Sequence, residues 1–248
     1  MKNCISLFLV IFLIIGCNDD EPASYVPQDL LLKKITLNGQ IKQECEYYSD
    51  ERVKKIVRYD DNGDFWFSED ITYSGDTTYT ETFGVGNIPW YNFKSYWIDA
   101  NQSTKIAYDE NDELVYYNVY DYVGNECGYS LRISYDRNDD IRYRYEVDYL
   151  QGCDSYIEQT FPNSTDSIKY NYERDDKPYY GRSASIDIYF KGQNNWTNTI
   201  KSERFDNDDL DESRSYTSTF TYNQDNYPIT EERTFVDGTI DNYTYEYY

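Results

Sequence analysis

Alternation with a period of two residues dominates this chain. Ile141-Arg142-Tyr143-Arg144-Tyr145-Glu146-Val147-Asp148-Tyr149 puts an apolar or aromatic side chain at every odd position and a charge at every even one. Successive strand residues point to opposite faces, so this is a strand with one packed face and one wet face. Tyr243-Thr244-Tyr245-Glu246-Tyr247 and Ala184-Ser185-Ile186-Asp187-Ile188-Tyr189-Phe190 repeat the pattern, and Val53–Tyr59 repeats it with one slip at Lys55. Tyr, Ile, Val, Thr and Phe suit a pleated, half-covered surface. No stretch after Cys17 carries a helical period.

A recurring turn separates these runs. Tyr59-Asp60-Asp61-Asn62-Gly63 is its clearest copy, with Tyr108-Asp109-Glu110-Asn111-Asp112 and Tyr135-Asp136-Arg137-Asn138-Asp139 in the same form. Phe205-Asp206-Asn207-Asp208-Asp209, Tyr222-Asn223-Gln224-Asp225-Asn226 and Tyr172-Glu173-Arg174-Asp175-Asp176-Lys177-Pro178 are looser copies. Asp and Asn favour such places because their side chains bond nearby backbone amides and tolerate the left-handed region. The copies are unevenly spaced, which excludes the fixed period of a solenoid or propeller. The predicted fold is therefore all-β: an antiparallel meander of long hairpins over residues 30–248, forming one large curled sheet or barrel-like domain. The stretch Phe83 to Trp97 breaks this grammar and reads as a loop-like insertion. The second strand face carries Arg, Glu, Asp, Lys and Thr, where a membrane-spanning barrel needs an apolar band. A lipid-anchored, water-standing sheet or barrel fits this pattern better.

The N-terminus sets the compartment. Lys2 precedes an apolar run from Ile5 to Ile15, interrupted by Ser6 and too short to span a bilayer. It ends Leu13-Ile14-Ile15-Gly16-Cys17, which resembles the bacterial lipobox. The resemblance implies a signal peptide over residues 1–16 and a lipid on Cys17. Residues 17–29, with Asn18-Asp19-Asp20-Glu21-Pro22 at their start, then form a flexible tether. That acidic tether is similar to the one that sends lipoproteins of the Bacteroidota to the outer face of the outer membrane. The expected location is a lipid-anchored, surface-exposed site on that membrane, with a periplasm-facing domain as the alternative. The tyrosine-rich strands and Tyr-Asp-x-Asn turns resemble the YD-type hairpin repeats of bacterial surface proteins. They resemble still more the single-domain lipoproteins of Bacteroidota built from such hairpins. That likeness implies a large antiparallel sheet curling toward a barrel, and no catalytic residue.

Charge and composition narrow the chemistry. The formal net charge of −23 repels phosphate backbones, so no nucleic-acid partner is expected. The chain has no histidine, which removes His-based acid–base catalysis, Ser-His-Asp and Cys-His nucleophile systems, and histidine metal sites. No C-x-x-C pair occurs. Cys127 and Cys153 lie symmetrically about the Asp136–Asp140 turn, and a hairpin pairing Ile133 with Val147 would bring them into a cross-strand disulfide. Cys45 then remains a small buried hydrophobe. The acidic turns lack the Gly and the closing Glu of a calcium loop: Phe65 and Ile71 stand at those places after Asp60. They are read as turn chemistry, and no metal or cofactor is expected. Paired carboxylates could serve a hydrolase, but 46 acidic side chains make any named pair uninformative. Asp76-Thr77-Thr78 and Asp166-Ser167-Ile168 resemble the O-glycosylation sequon of exported Bacteroidota proteins.

The candidate contact residues are Trp90, Tyr91, Phe93 and Trp97. Aromatic faces stack on the apolar faces of sugars while their polar edges stay wet. This cluster serves either as a contact surface for a glycan or protein ligand, or as a loop plugging one end of the core. The reading is a non-enzymatic binding module of the envelope, with a structural or assembly role without a small ligand as its alternative.

Overall fold

The computed structural model describes residues 30–98, 101–122, 130–149, 155–162, 164–178 and 197–248. None of these is helical. The strands are β1 (Leu32–Leu37), β2 (Gln40–Tyr47), β3 (Val53–Tyr59), β4 (Phe65–Ser74), β5 (Thr77–Gly84) and β6 (Pro89–Trp97). They continue with β7 (Gln102–Tyr108), β8 (Leu114–Asp121), β9 (Leu131–Asp136), β10 (Ile141–Tyr149), β11 (Ser155–Thr160) and β12 (Ser167–Pro178). The last are β13 (Thr197–Asp206), β14 (Asp209–Leu210), β15 (Tyr216–Tyr222), β16 (Pro228–Phe235) and β17 (Ile240–Tyr247).

Among the described residues these strands form one seventeen-stranded antiparallel sheet. The two-residue β14 pairs with β13, and β13 continues to β15. β1 pairs with β2 on one side and β17 on the other, so the remaining sixteen strands close into a barrel. Closure leaves no free edge from β1 to β17 for another chain to pair with. The expected meander is present, and its curl is complete. At the usual strand spacing and tilt, sixteen strands make a wall roughly 30 Å across.

The two faces of this wall differ sharply. Residues directly opposite in a ladder share a face, so the inner surface can be followed from strand to strand. One such row is Tyr245, Ile35, Gln43, Arg58, Phe67 and Gly84. On this face Leu32, Cys45, Val53, Ile56, Ile71 and Tyr245 are buried together. Side chains converge on a concave surface and splay on a convex one, so the more buried face is the interior. Arginines are held there over tyrosine rings. The Arg132 guanidinium lies 5.5 Å from the Tyr120 ring centre and 5.3 Å from that of Tyr143. Arg233 lies 4.2 Å from Tyr216 and 4.6 Å from Tyr243. Glu231, only 2% exposed, accepts from Ser218 at 2.6 Å and from Arg233 at 2.8 Å. A buried charge persists only when paired in this way.

The outer face carries Thr217, Thr219, Thr230, Glu232, Thr244, Glu246, Lys34, Glu44, Lys55 and Asp70 around β15 to β4. Cross-strand ion pairs sit on it: Lys34–Glu246 at 2.6 Å, Lys55–Asp70 at 3.0 Å and Lys201–Glu173 at 3.0 Å. Ile106, Val119 and Ile133 make a half-buried apolar strip on β7 to β9. This is a strip on one side, where a membrane-spanning barrel needs a girdle all round.

The turns follow the chemistry expected of them. Asp60 Oδ1 accepts from the amides of Asn62 at 2.8 Å and Asp64 at 2.9 Å. Asp109 accepts from Asn111 and Glu113, Asp136 from Asn138 and Asp140, and Asn223 from Asp225 and Tyr227. The fourth residue of each loop is left-handed: Gly63, Asp112, Asp139 and Asn226. Asx chemistry and a left-handed residue together close each loop.

Three expectations need correction. Tyr172–Pro178 is not a turn but part of β12. Asp175 does bond the Lys177 amide locally, at 3.1 Å, but it also accepts from the Asn198 amide at 2.9 Å and from the Tyr222 hydroxyl. Those bonds to β13 and β15 keep the segment in the sheet. Second, Phe83–Trp97 is no insertion: it is the β5–β6 hairpin, turning at Gly84 to Asn87 with Asn87 left-handed. Third, Ile133 pairs with Arg144, not Val147. The loop is centred on Asn138, where Tyr135 pairs with Ile141, and not on Asp140; a bulge between Ile141 and Tyr143 then takes back one residue, and the resulting odd shift exchanges the faces. Ile133 therefore points outward while Tyr143 and Tyr145 point inward. Cys17, Cys127, Cys153 and the strand Ala184–Phe190 lie outside the described residues.

Candidate functional site

The four candidate aromatic residues are all on β6, but they do not form one patch. Trp90 is 38% exposed and Tyr91 43% exposed. Trp90 sits in a bulge, because Thr82 pairs with Tyr91 whereas Phe83 pairs with Pro89. Its indole fills the space where Gly84 lacks a side chain and lies 5.9 Å from the Phe67 ring. Phe67 and Gly84 are opposite each other on the inner face, so Trp90 turns inward at that mouth of the barrel. Tyr91 and Phe93 follow on the same face with ring centres 6.2 Å apart. Trp97 lies seven residues beyond Trp90, about 23 Å at the usual rise. It is half-buried against Tyr122, 5.0 Å away, and beside Tyr120. One end of the row packs at each mouth, and the rings line the inner wall.

The outward face of the same strand has a different character. Its Asn92 and Lys94 stand between β5 and β7, opposite Glu81 and Tyr79 on one side and Tyr108 and Ile106 on the other. Tyr79, Glu81, Asn92, Lys94 and Tyr108, with Asp112 from the β7–β8 turn, line an open cavity of about 380 Å³ that Thr80 and Phe93 also border. That lies at the small end of ligand pockets, which run about 300–1,000 Å³. Tyr79 is 41% exposed, and Tyr79 and Tyr108 stand two strands and two residues apart, about 12 Å.

Glu81, Asn92 and Asp112 make no side-chain hydrogen bond or ion pair among the described residues. Lys94 rests 5.4 Å from the Tyr96 ring centre and pairs with no carboxylate among the described residues. Elsewhere on the outer wall Lys34, Lys55 and Lys201 pair with carboxylates; Lys94, beside this concavity, does not. No group of histidine, cysteine or acidic side chains that could hold a metal occurs among the described residues. The sequence marked the aromatic end of the β5–β6 hairpin but not this groove. Tyr79, Glu81, Asn92 and Lys94 were visible as alternate positions, yet only the register sets them beside one another.

The fold defines a class: closed, antiparallel, single-sheet β-barrels of sixteen strands. This chain is similar to a porin-like protein from Bacteroides uniformis known from its crystal structure. The two share 11% identity and superpose with a TM-score of 0.57, over 88% of this chain and 98% of the other. No family model matches the sequence, and no curated protein matches it.

Proposed function

We propose that this chain is an outer-membrane-associated β-barrel lipoprotein whose barrel stands in water beside the bilayer and serves as a binding module, not as an enzyme. The observation that carries this reading is the sorting of side chains across the wall. Glu44, Lys55, Asp70 and Glu232 face outward in mid-strand, while Tyr216, Phe220, Tyr243 and Tyr245 face inward. Placing such an outer wall in hydrocarbon costs about 2–4 kcal/mol for each midplane Lys or Arg. The lipid on Cys17 then supplies the attachment. Leu32 and Tyr247 are paired, so both ends of the barrel lie at one mouth. The turns at Asp60–Asp64, Asp109–Glu113 and Asp136–Asp140 crowd acids at the other mouth. Their charge favours an orientation with that mouth away from anionic lipid.

The porin-like description of the neighbour favours a second reading, a barrel that spans the outer membrane as a pore. One experiment separates the two. A specific protease site is placed in the tether between Pro27 and Gln28, and purified outer membranes are treated with that protease. Release of the folded barrel into buffer without detergent supports the water-standing reading. A barrel that stays in the membrane until detergent is added sinks it in favour of the pore.

A further inference from the structure

We infer that the groove across β5, β6 and β7 on the outer wall binds a short, neutral saccharide. The inference rests on the binding-module reading and names its site and ligand class. Three observations meet there. The first is shape: the wall of a barrel is convex, yet here it holds a cavity of about 380 Å³, too small for a protein surface and suited to a short saccharide.

The second is the pair of tyrosines. Tyr79 and Tyr108 stand on strands either side of β6, both on the outward face. Each offers an apolar ring to a C–H-rich sugar face and a hydroxyl to its edge. Neither ring belongs to the inner aromatic wall, so the fold does not use them as core.

The third is the set of open polar groups. Glu81, Asn92, Lys94 and Asp112 supply two carboxylates, an amide and an ammonium without mutual pairing. A ligand rich in hydroxyls, each both donor and acceptor, can meet all four. Two carboxylates against one ammonium, on a chain with a net charge of −23, disfavour a phosphorylated or carboxylated ligand.

The groove therefore lies on the opposite side of β6 from Tyr91 and Phe93, and its ligand does not enter the barrel.

The test uses the mature lipoprotein in a detergent without a sugar headgroup. The probes are lactose, cellobiose and N,N′-diacetylchitobiose, with glucose 6-phosphate as the anionic control, read by saturation-transfer NMR and titration. Saturable binding of at least one neutral or acetylamino probe, weakened at least tenfold by Tyr79→Ala with Tyr108→Ala and unchanged by Thr219→Ala, supports the inference. Near-ultraviolet circular dichroism confirms that each variant is folded. No saturable binding of the three uncharged probes by a folded barrel overturns it, as does binding that survives the double variant or a preference for glucose 6-phosphate. None of these outcomes bears on whether the tether holds a water-standing barrel, which the protease-release experiment decides by itself.

Discussion

Ile35 in β1 stands directly opposite Tyr245 in β17, and this pairing closes the barrel across the whole length of the domain. Tyr245 is 4% exposed and donates its hydroxyl to the buried Glu231 carboxylate at 2.5 Å. The closing strand thus carries both an apolar contact and a bond to a buried charge. Tyr245→Phe keeps the ring and strips one bond from the carboxylate, at a cost of about 1–3 kcal/mol. Tyr245→Ala also opens a cavity and costs about 3–5 kcal/mol. Urea denaturation of the purified protein checks both. Equal midpoints for Tyr245→Phe and wild type would show that the hydroxyl is not part of the closure.

Gly84 is required by Trp90. A Cβ at position 84 would lie 2.2 Å from Trp90 Nε1, closer than atoms can approach. Gly84→Ala must displace the indole and is expected to destabilise by about 1–3 kcal/mol, with a change in tryptophan fluorescence. In a Trp90→Ala background the same substitution should cost little, because the space is then empty. An equal cost in both backgrounds would mean that position 84 is constrained by something other than the indole.

Acid should loosen one mouth of the barrel first. Backbone amides donated by Asp64, Glu113 and Asn138 lead the causes that hold the carboxyls of Asp60, Asp109 and Asp136 below their usual value of 3.8. A folded-state value below the unfolded one stabilises above the unfolded value, and the gain is lost as pH falls through the folded value. The expected outcome is a stability that falls below about pH 4. Replacing the three with Asn keeps the acceptor oxygen, as Asn223 does in the fourth copy, and should flatten that fall. Urea midpoints from pH 5 to pH 3 decide it: an unchanged slope in the triple variant would locate the acid sensitivity elsewhere.

Cys45 should be chemically silent in the folded protein. It is 2% exposed among Leu32, Ile56 and Ile71, and burial leads the causes that push its thiol above the usual 9.0. The thiolate is the reactive form, so both access and ionisation are denied. Alkylation followed by peptide mass spectrometry should find Cys45 unmodified in the native protein and fully modified in urea. Native labelling as fast as that of the unfolded chain would contradict this placement.

Much of the fold is legible one strand at a time. Ile141–Tyr149 is a strand that keeps the expected alternation from Tyr143 to Asp148, with Ile141 exposed before the bulge, and the loops at Asp60, Asp109, Asp136 and Asn223 close by the side-chain bonds their composition implies. The errors arise where a long-range bond overrides local chemistry. Asp175 has the composition of a turn but is recruited by Asn198 and Tyr222. The aromatic run after Gly84 looks like a loop but is a hairpin whose Trp90 bulge tucks against Phe67. The candidate site was half legible: the β5–β6 hairpin was marked by its inward rings, while the groove lies on its outward face.

The sequence by itself determined the alternation along most strands and the reversals at Asp60, Asp109, Asp136 and Asn223. Both depend on neighbours within a few positions: a two-residue period and an Asp or Asn that caps its own loop. The tertiary structure alone decided that the sheet closes through Ile35 and Tyr245, and that Ile133 faces out while Tyr143 faces in. It also decided that Tyr79, Lys94 and Tyr108 become neighbours. Those outcomes depend on strand register, and a single bulge resets register for every residue beyond it. Local periodicity is the same on either side of a bulge, so it cannot reveal which face turns toward the interior.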